Sequence, residues 1–135
     1  MKAIHAYLTF NGNCRAAMKF YQKCLGGELL LQLAGESPLS DRMPAKMKKL
    51  IVHSVLNGKN FCLTGTDMAT DDGLQKGNAV ALLINCSSER ELRIVYKNLS
   101  AGGKQTQPAR RTHWGALFAT LTDKYGNHWL LNYKK

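Results

Sequence analysis

The feature that most restricts how this chain can fold is that it is written twice. Moving the second half back by 75 positions lays Leu92 on Ala17, Val95 on Phe20, Tyr96 on Tyr21, Leu99 on Cys24 and Gly102 on Gly27. In each half these positions form the i, i+3, i+4, i+7 stripe of a helix with one buried side. A glycine pair, Gly26-Gly27 or Gly102-Gly103, then stops the helix where a left-handed residue is needed. A strand precedes each helix, and a strand and a hairpin follow it, so the element order reads βαβββ-βαβββ. Two such modules side by side turn their helices outward and form a cupped mixed sheet between them. The expected class is α+β, one domain over residues 1–135 with modules at about 1–66 and 77–135, joined by the polar tract Thr66 to Lys76.

In the first module, Ala3 to Phe10 alternates Ile4, Ala6, Leu8 and Phe10 with His5, Tyr7 and Thr9. The uniformly apolar set should meet the helix and the mixed set should face the cavity. Asn13 is placed to cap a helix ending at Leu25. Glu28 to Ala34 is a second strand, and Gly35 to Lys49, with Pro38 and Pro44, is a loop with room for a short helical turn. Leu50–Leu56 and Lys59–Thr64 are strands joined by Asn57-Gly58, a strong hairpin signal. A two-residue turn there sets His53 opposite Cys62 on one face and Ser54 opposite Phe61 on the other.

In the second module, Ala79 to Asn85 reads as a strand, and Ser88 with Glu91 forms a capping box for a helix to Ser100. Lys104 to Arg110 is a short strand that Pro108 confines to an edge. Two apolar runs, Trp114–Thr122 and Asn127–Tyr133, flank the turn Asp123-Lys124-Tyr125-Gly126 and make the closing hairpin.

Several function classes are excluded by what the chain lacks. It has no nucleophile elbow, no phosphate-binding glycine loop and no His-Glu metal motif. Nineteen Lys and Arg against nine Asp and Glu give a net charge of +10, which raises nucleic acid as a partner. The basic residues are scattered, however, with no recognition helix or paired aromatics beside them, so a solvated basic surface is the better reading. The four cysteines, Cys14, Cys24, Cys62 and Cys86, show no zinc spacing and read as free thiols. Without a leader pattern or a long apolar tract, the protein is expected to be soluble and cytoplasmic, with no membrane contact.

The chain resembles the vicinal oxygen chelate superfamily, which includes glyoxalase I, bleomycin-resistance proteins and extradiol dioxygenases, and within it the PhnB-like branch. The resemblance rests on Tyr7-Leu8-Thr9-Phe10-Asn11-Gly12-Asn13, Phe20-Tyr21 with Leu25-Gly26-Gly27, Val52-His53-Ser54, Trp114-Gly115, and Asp123-Lys124-Tyr125-Gly126 with Trp129. It implies the glyoxalase/bleomycin-resistance-like fold. Glyoxalase-like members carry four metal ligands on the first and fourth strands of each module. The first-strand positions fall on His5 and, by the 75-residue shift, on Val80; the fourth-strand positions fall on Cys62 and on Leu130, four residues after Gly126. Two of the four are aliphatic, so the resemblance implies no metal and no other cofactor. It also implies a homodimer, which the apolar edges of cupped sheets favour independently.

The candidate ligand pocket is His5, Tyr7, His53, Cys62 and Trp114, with Arg110, Arg111 and His113 as a basic rim able to attract a carboxylate or phosphate. Three functions fit. The first is a metal-independent binder of a small organic molecule. The second is a metal-dependent lyase, isomerase or dioxygenase centred on His5, with His53 and Cys62 as further ligands. The third is a nucleic-acid-binding accessory protein, which rests on charge alone.

Overall fold

The computed structural model describes residues 1–36, 40–69 and 73–135, and of Ser40 the backbone only. Pro38, in the first long loop, and residues 70–72 of the expected linker lie outside the described residues. The chain divides into two compact units, Met1–Gln75 and Lys76–Lys135. Each holds one four-stranded mixed sheet and a twelve-residue helix, giving the α+β class expected from the repeat. No helix among the described residues is long and apolar enough to cross a membrane.

The first unit runs β1 (Ala6–Thr9), α1 (Cys14–Leu25), β2 (Glu28–Leu33), the short helical turn α2 (Ala45–Lys48), β3 (Ile51–Asn57) and β4 (Cys62–Thr66). Its strand order is β1-β4-β3-β2, with β1 parallel to β4 and the other pairs antiparallel. The second unit repeats this with β5 (Leu82–Asn85), α3 (Glu89–Ser100), β6 (Lys104–Arg111), β7 (Leu117–Thr122) and β8 (His128–Tyr133), ordered β5-β8-β7-β6. In each unit the helix joins the two edge strands, β1 to β2 and β5 to β6, and the unit ends on a hairpin whose last strand inserts beside the first.

The helices bury one side, though not quite the expected one. On α1 the buried residues are Cys14, Ala17, Met18 and Tyr21, while Phe20 and Cys24 are only half-buried. On α3 Leu92, Tyr96 and Leu99 are buried, and Val95 is half-buried. The buried stripe on α1 is therefore shifted toward the helix start, where Cys14 and Met18 fill the space that Gly65 of β4 leaves open. Below α3 lie Leu117, Ala119, Leu121, Trp129 and Leu131, all almost fully buried. Each such large side chain contributes roughly 1.5–3 kcal/mol of burial.

The helix starts differ. Ser88 Oγ accepts from Glu91 N at 3.0 Å, and Glu91 Oε1 accepts from Ser87 N at 2.8 Å, so the capping box is present. Asn13 does not cap α1; its side chain makes no cap hydrogen bond. A carboxylate from far along the chain takes over. Asp67 Oδ1 accepts from Gly12 N at 3.0 Å and Cys14 N at 2.9 Å, and Oδ2 accepts from Ile51 N at 2.8 Å.

That carboxylate also explains why the first hairpin is not turned at Asn57-Gly58. Leu56 pairs with Leu63 and Asn57 with Cys62, and Gly58 N donates to Phe61 O at 3.0 Å, which leaves Lys59-Asn60 at the tip. Neither Asn57 nor Gly58 has the positive φ that the expected turn requires. The slip brings Asp67 beside Ile51, where its N donates to Ile51 O at 2.8 Å.

The second unit has its own buried acid within the closing turn. Asp123 Oδ1 accepts from Tyr125 N at 2.8 Å and Asn127 N at 3.1 Å, and Oδ2 accepts from Trp129 Nε1 at 2.8 Å. Here the turn forms as the sequence indicates.

The duplication is also offset. Helix starts Cys14 and Glu89 differ by 75, but Phe10 N donates to Thr66 O as Cys86 N does to Asn132 O, a difference of 76. The glycines agree with the larger number: a Cβ on Gly27 would sit 2.7 Å from Asn57 O, and one on Gly103 would strike Thr122 O. Gly103, rather than Gly102, therefore matches Gly27. The edge strand β6 shifts register at Gln105/Gln107 and again at Gln107/Arg110, with Pro108 inside the second shift, in keeping with the edge position that Pro108 indicated.

Candidate functional site

Each helix covers one face of its sheet, so the other face is where side chains are left for chemistry. In the first unit, Ser54 marks the helix side: its Oγ donates to Gly65 O at 2.9 Å and lies 3.5 Å from Cys14 Sγ. The opposite face follows from the register. Tyr7, Thr64, Val55 and Leu30 stand in one row across all four strands. Tyr7 and Leu30 are 60% and 59% exposed. Thr64 Oγ1 is committed to Ala6 O at 2.8 Å.

His53 and Cys62 project to this same face, since each is two residues from a member of the row. They are not opposite each other, however: His53 pairs with Gln32 and Cys62 with Asn57. His5 precedes β1 and is exposed, as is Ile4, so the first strand is shorter than its alternation suggests.

In the second unit the face away from α3 carries Leu83, Leu130, Thr120 and Gln107 in one row, and Asn85, Asn132, Phe118 and Arg110 in the next. Asn132 Nδ2 donates to Asn85 Oδ1 at 3.3 Å. Arg110 and Arg111, grouped as a rim by sequence, point to opposite faces. Arg111 pairs with Leu117 on the helix side and reaches Glu89 Oε1 at 2.6 Å, at the start of α3. His113 and Trp114 lie in the turn between β6 and β7, edge to face at 4.8 Å. Trp114 is 57% exposed.

The ligand positions implied by the resemblance can now be placed by register. The strand offset of 76 sets Ala81, not Val80, against His5, and His128 begins β8 as Cys62 begins β4. Leu130 stands where Thr64 does. His128 is spoken for: its Nε2 faces Gly77 O at 3.3 Å and so carries the proton in the neutral ring, leaving Nδ1 to accept from Thr122 Oγ1 at 2.9 Å. Among the described residues no three His, Cys, Asp or Glu side chains converge. Of the four positions His5, Ala81, Cys62 and His128, Ala81 carries no donor atom and His128 already has two hydrogen-bond partners.

The buried thiols are also unsuited to ligation or attack. Burial pushes Cys14 up to about 11, with the Asp67 charge adding and the Ser54 hydrogen bond opposing. Burial and the Glu91 charge push Cys86 up to about 11. A thiol in that range stays protonated at neutral pH. Burial likewise raises the Tyr96 hydroxyl, whose proton is shared between Gln107 O at 3.1 Å and Thr120 O at 3.0 Å.

The residues that sequence reasoning missed on these faces are Leu30, Val55 and Thr64, and Phe118, Asn85 and Asn132. Only the alternation of Glu28–Leu33 hinted at Leu30; the others become neighbours through strand order.

Residues 2–132 match the family described as 3-demethylubiquinone-9 3-methyltransferase. Protein YjdN of Escherichia coli is 31% identical over 96% of this chain and 93% of its own length. The crystal structure of PA1353 from Pseudomonas aeruginosa has a TM-score of 0.87 and 32% identity, covering 99% of this chain and 98% of that one. A putative 3-demethylubiquinone-9 3-methyltransferase, PhnB protein, from Bacillus cereus has a TM-score of 0.80 and 22% identity over 98% and 99% of the two chains. At lower identity the fold is shared with a glyoxalase/bleomycin resistance protein/dioxygenase family enzyme.

Proposed function

We propose, for a chain that belongs to the 3-demethylubiquinone-9 3-methyltransferase family in its PhnB-like branch, a binding role: it holds a small organic molecule on sheet faces turned away from the helices. The observation that carries this reading is the row Tyr7, Thr64, Val55, Leu30, in which an aromatic ring and two aliphatic side chains stand together without a charge. Apolar area removed from water there contributes about 25 cal/mol per Å². His53 and Gln32, side by side and exposed, supply hydrogen bonds that orient a ligand.

The side chains argue against a metal-dependent alternative. A metal-dependent lyase or dioxygenase lacks a converging ligand set among the described residues. Free thiols in all four cysteines fit a reducing, cytoplasmic setting. Pairing of two copies belongs to the same reading, supported by the exposed Leu30 on the edge strand β2; light scattering giving the mass of one chain at micromolar concentration would count against it.

The test is thermal shift against a metabolite library, because a ligand that prefers the folded state raises its apparent stability. Tyr7→Ala and His5→Ala should each shrink the ligand-induced shift while leaving the free protein within about 1 kcal/mol of the parent, as exposed side chains allow. Ligand shifts untouched by both substitutions would sink the reading for this face.

A further inference from the structure

The second unit carries an arginine that its neighbours leave unused. Arg93 and Arg111 both bind Glu89, at 3.2 and 2.6 Å. Arg110 is exposed and has no ion pair or hydrogen bond among the described residues. Its Cα partner across the ladder is Phe118, whose partner is Asn132, whose partner is Asn85. One straight row thus runs from a guanidinium over a half-buried ring to a pair of amides, on the face away from α3. Leu83, 54% exposed, and Leu130 form an apolar flank beside it.

From this row we infer that the second unit binds a flat aromatic monocarboxylate bearing a hydrogen-bonding group at its far end. The inference rests on the small-molecule reading above and names a ligand class for the second unit's face. A guanidinium grips a carboxylate through two parallel N–H···O bonds. The Phe118 ring offers a face for an offset stack. Asn132 and Asn85 amides both donate and accept, so they take a hydroxyl or amino group in either sense. Length sets the class further: strands are spaced about 4.8 Å apart, so Arg110 to Asn132 spans about 10 Å, near the length of a hydroxycinnamate. A phosphate without an aromatic body would leave Phe118 and the leucines uncovered, and a neutral arene would leave Arg110 unanswered.

The experiment is calorimetric titration of the full chain with 4-hydroxycinnamate, its methyl ester and hexanoate. The acid should bind, and the ester and hexanoate should each be at least about tenfold weaker, the size of one lost charge-assisted contact or one lost ring stack. Arg110→Gln should weaken the acid to the level of the ester, and Phe118→Leu should weaken acid and ester alike. Arg93→Gln, which removes the same charge from α3, should leave the affinity within about twofold. Acid and ester binding equally, or Arg93→Gln acting as strongly as Arg110→Gln, would overturn the inference. So would a change from dimer to monomer caused by Arg110→Gln, which would mean that a second copy covers this face. If the three probes fail while the metabolite library yields a ligand of another class, the inference falls and the binding role stands; if the library is also silent, both fall.

Discussion

The two units share strand order and helix length but are held together in different ways. The second is stabilised by local contacts: Ser88 and Glu91 cap α3 within four residues, and Asp123 gathers Tyr125, Asn127 and Trp129 within six. The first relies on Asp67, which reaches back to Gly12, Cys14 and Ile51. One topology therefore tolerates either a turn that builds itself or a turn that waits for a distant carboxylate. In the first unit one side chain ties the helix entry to the sheet; in the second the helix cap and the closing turn are held by different side chains.

Substitution of the two acids gives the largest effect. Asp67→Ala leaves three N–H groups unsatisfied, two of them buried, and should cost about 4 kcal/mol, read as a lower midpoint in urea. Asp123→Ala should cost about 3 kcal/mol, read the same way, because it strips the acceptor from Tyr125 N, Asn127 N and Trp129 Nε1. Equal losses, with equal effects on α1 and α3 hydrogen exchange, would erase the contrast between the units.

Alkaline pH should affect the units alike. Cys14 and Cys86, one in each, have thiols raised from 9.0 to about 11. A thiol whose folded value is raised adds stability that is whole below pH 9 and is lost as pH climbs toward 11. Each should then cost on the order of 2 kcal/mol across that window, and Cys14→Ser should flatten half of the slope. A profile level from pH 8.5 to 11 would contradict the burial assigned to both.

Capping gives the smallest effect and the cleanest contrast. Ser88→Ala should cost about 1 kcal/mol and Asn13→Ala less than about 0.3 kcal/mol, since Asn13 accepts no cap bond. Equal costs in chemical denaturation would restore the symmetry that the capping residues break.

What could be read from the sequence follows the same division. The capping box, the Asp123 turn and the edge role of Pro108 depend on residues a few positions apart, so their patterns survive in one dimension. The hairpin after Asn57 does not follow its local pattern: the Asn57-Gly58 dipeptide favours a tighter turn than the register that places Asp67, ten residues on, beside Ile51. The slip is four residues, an even number, so His53 and Cys62 keep their face while losing their pairing. The site was legible to that extent: Tyr7, His53 and Cys62 lie on the uncovered face, but Arg110 separates from Arg111 only when β6 is laid on β7. The repeat itself was legible, with its offset blurred by the residue added between α3 and β6.

The edges of the two sheets also predispose the molecule to fail unevenly. Strand β6 breaks its register twice and lacks the Pro108 donor, so it makes a poor template for an incoming chain. Strand β2, Glu-Leu-Leu-Leu-Gln-Leu, carries no proline and shows Leu30 to solvent. In a heated or crowded solution, aggregation should therefore nucleate at β2, and the first unit should set the shelf life of the whole chain.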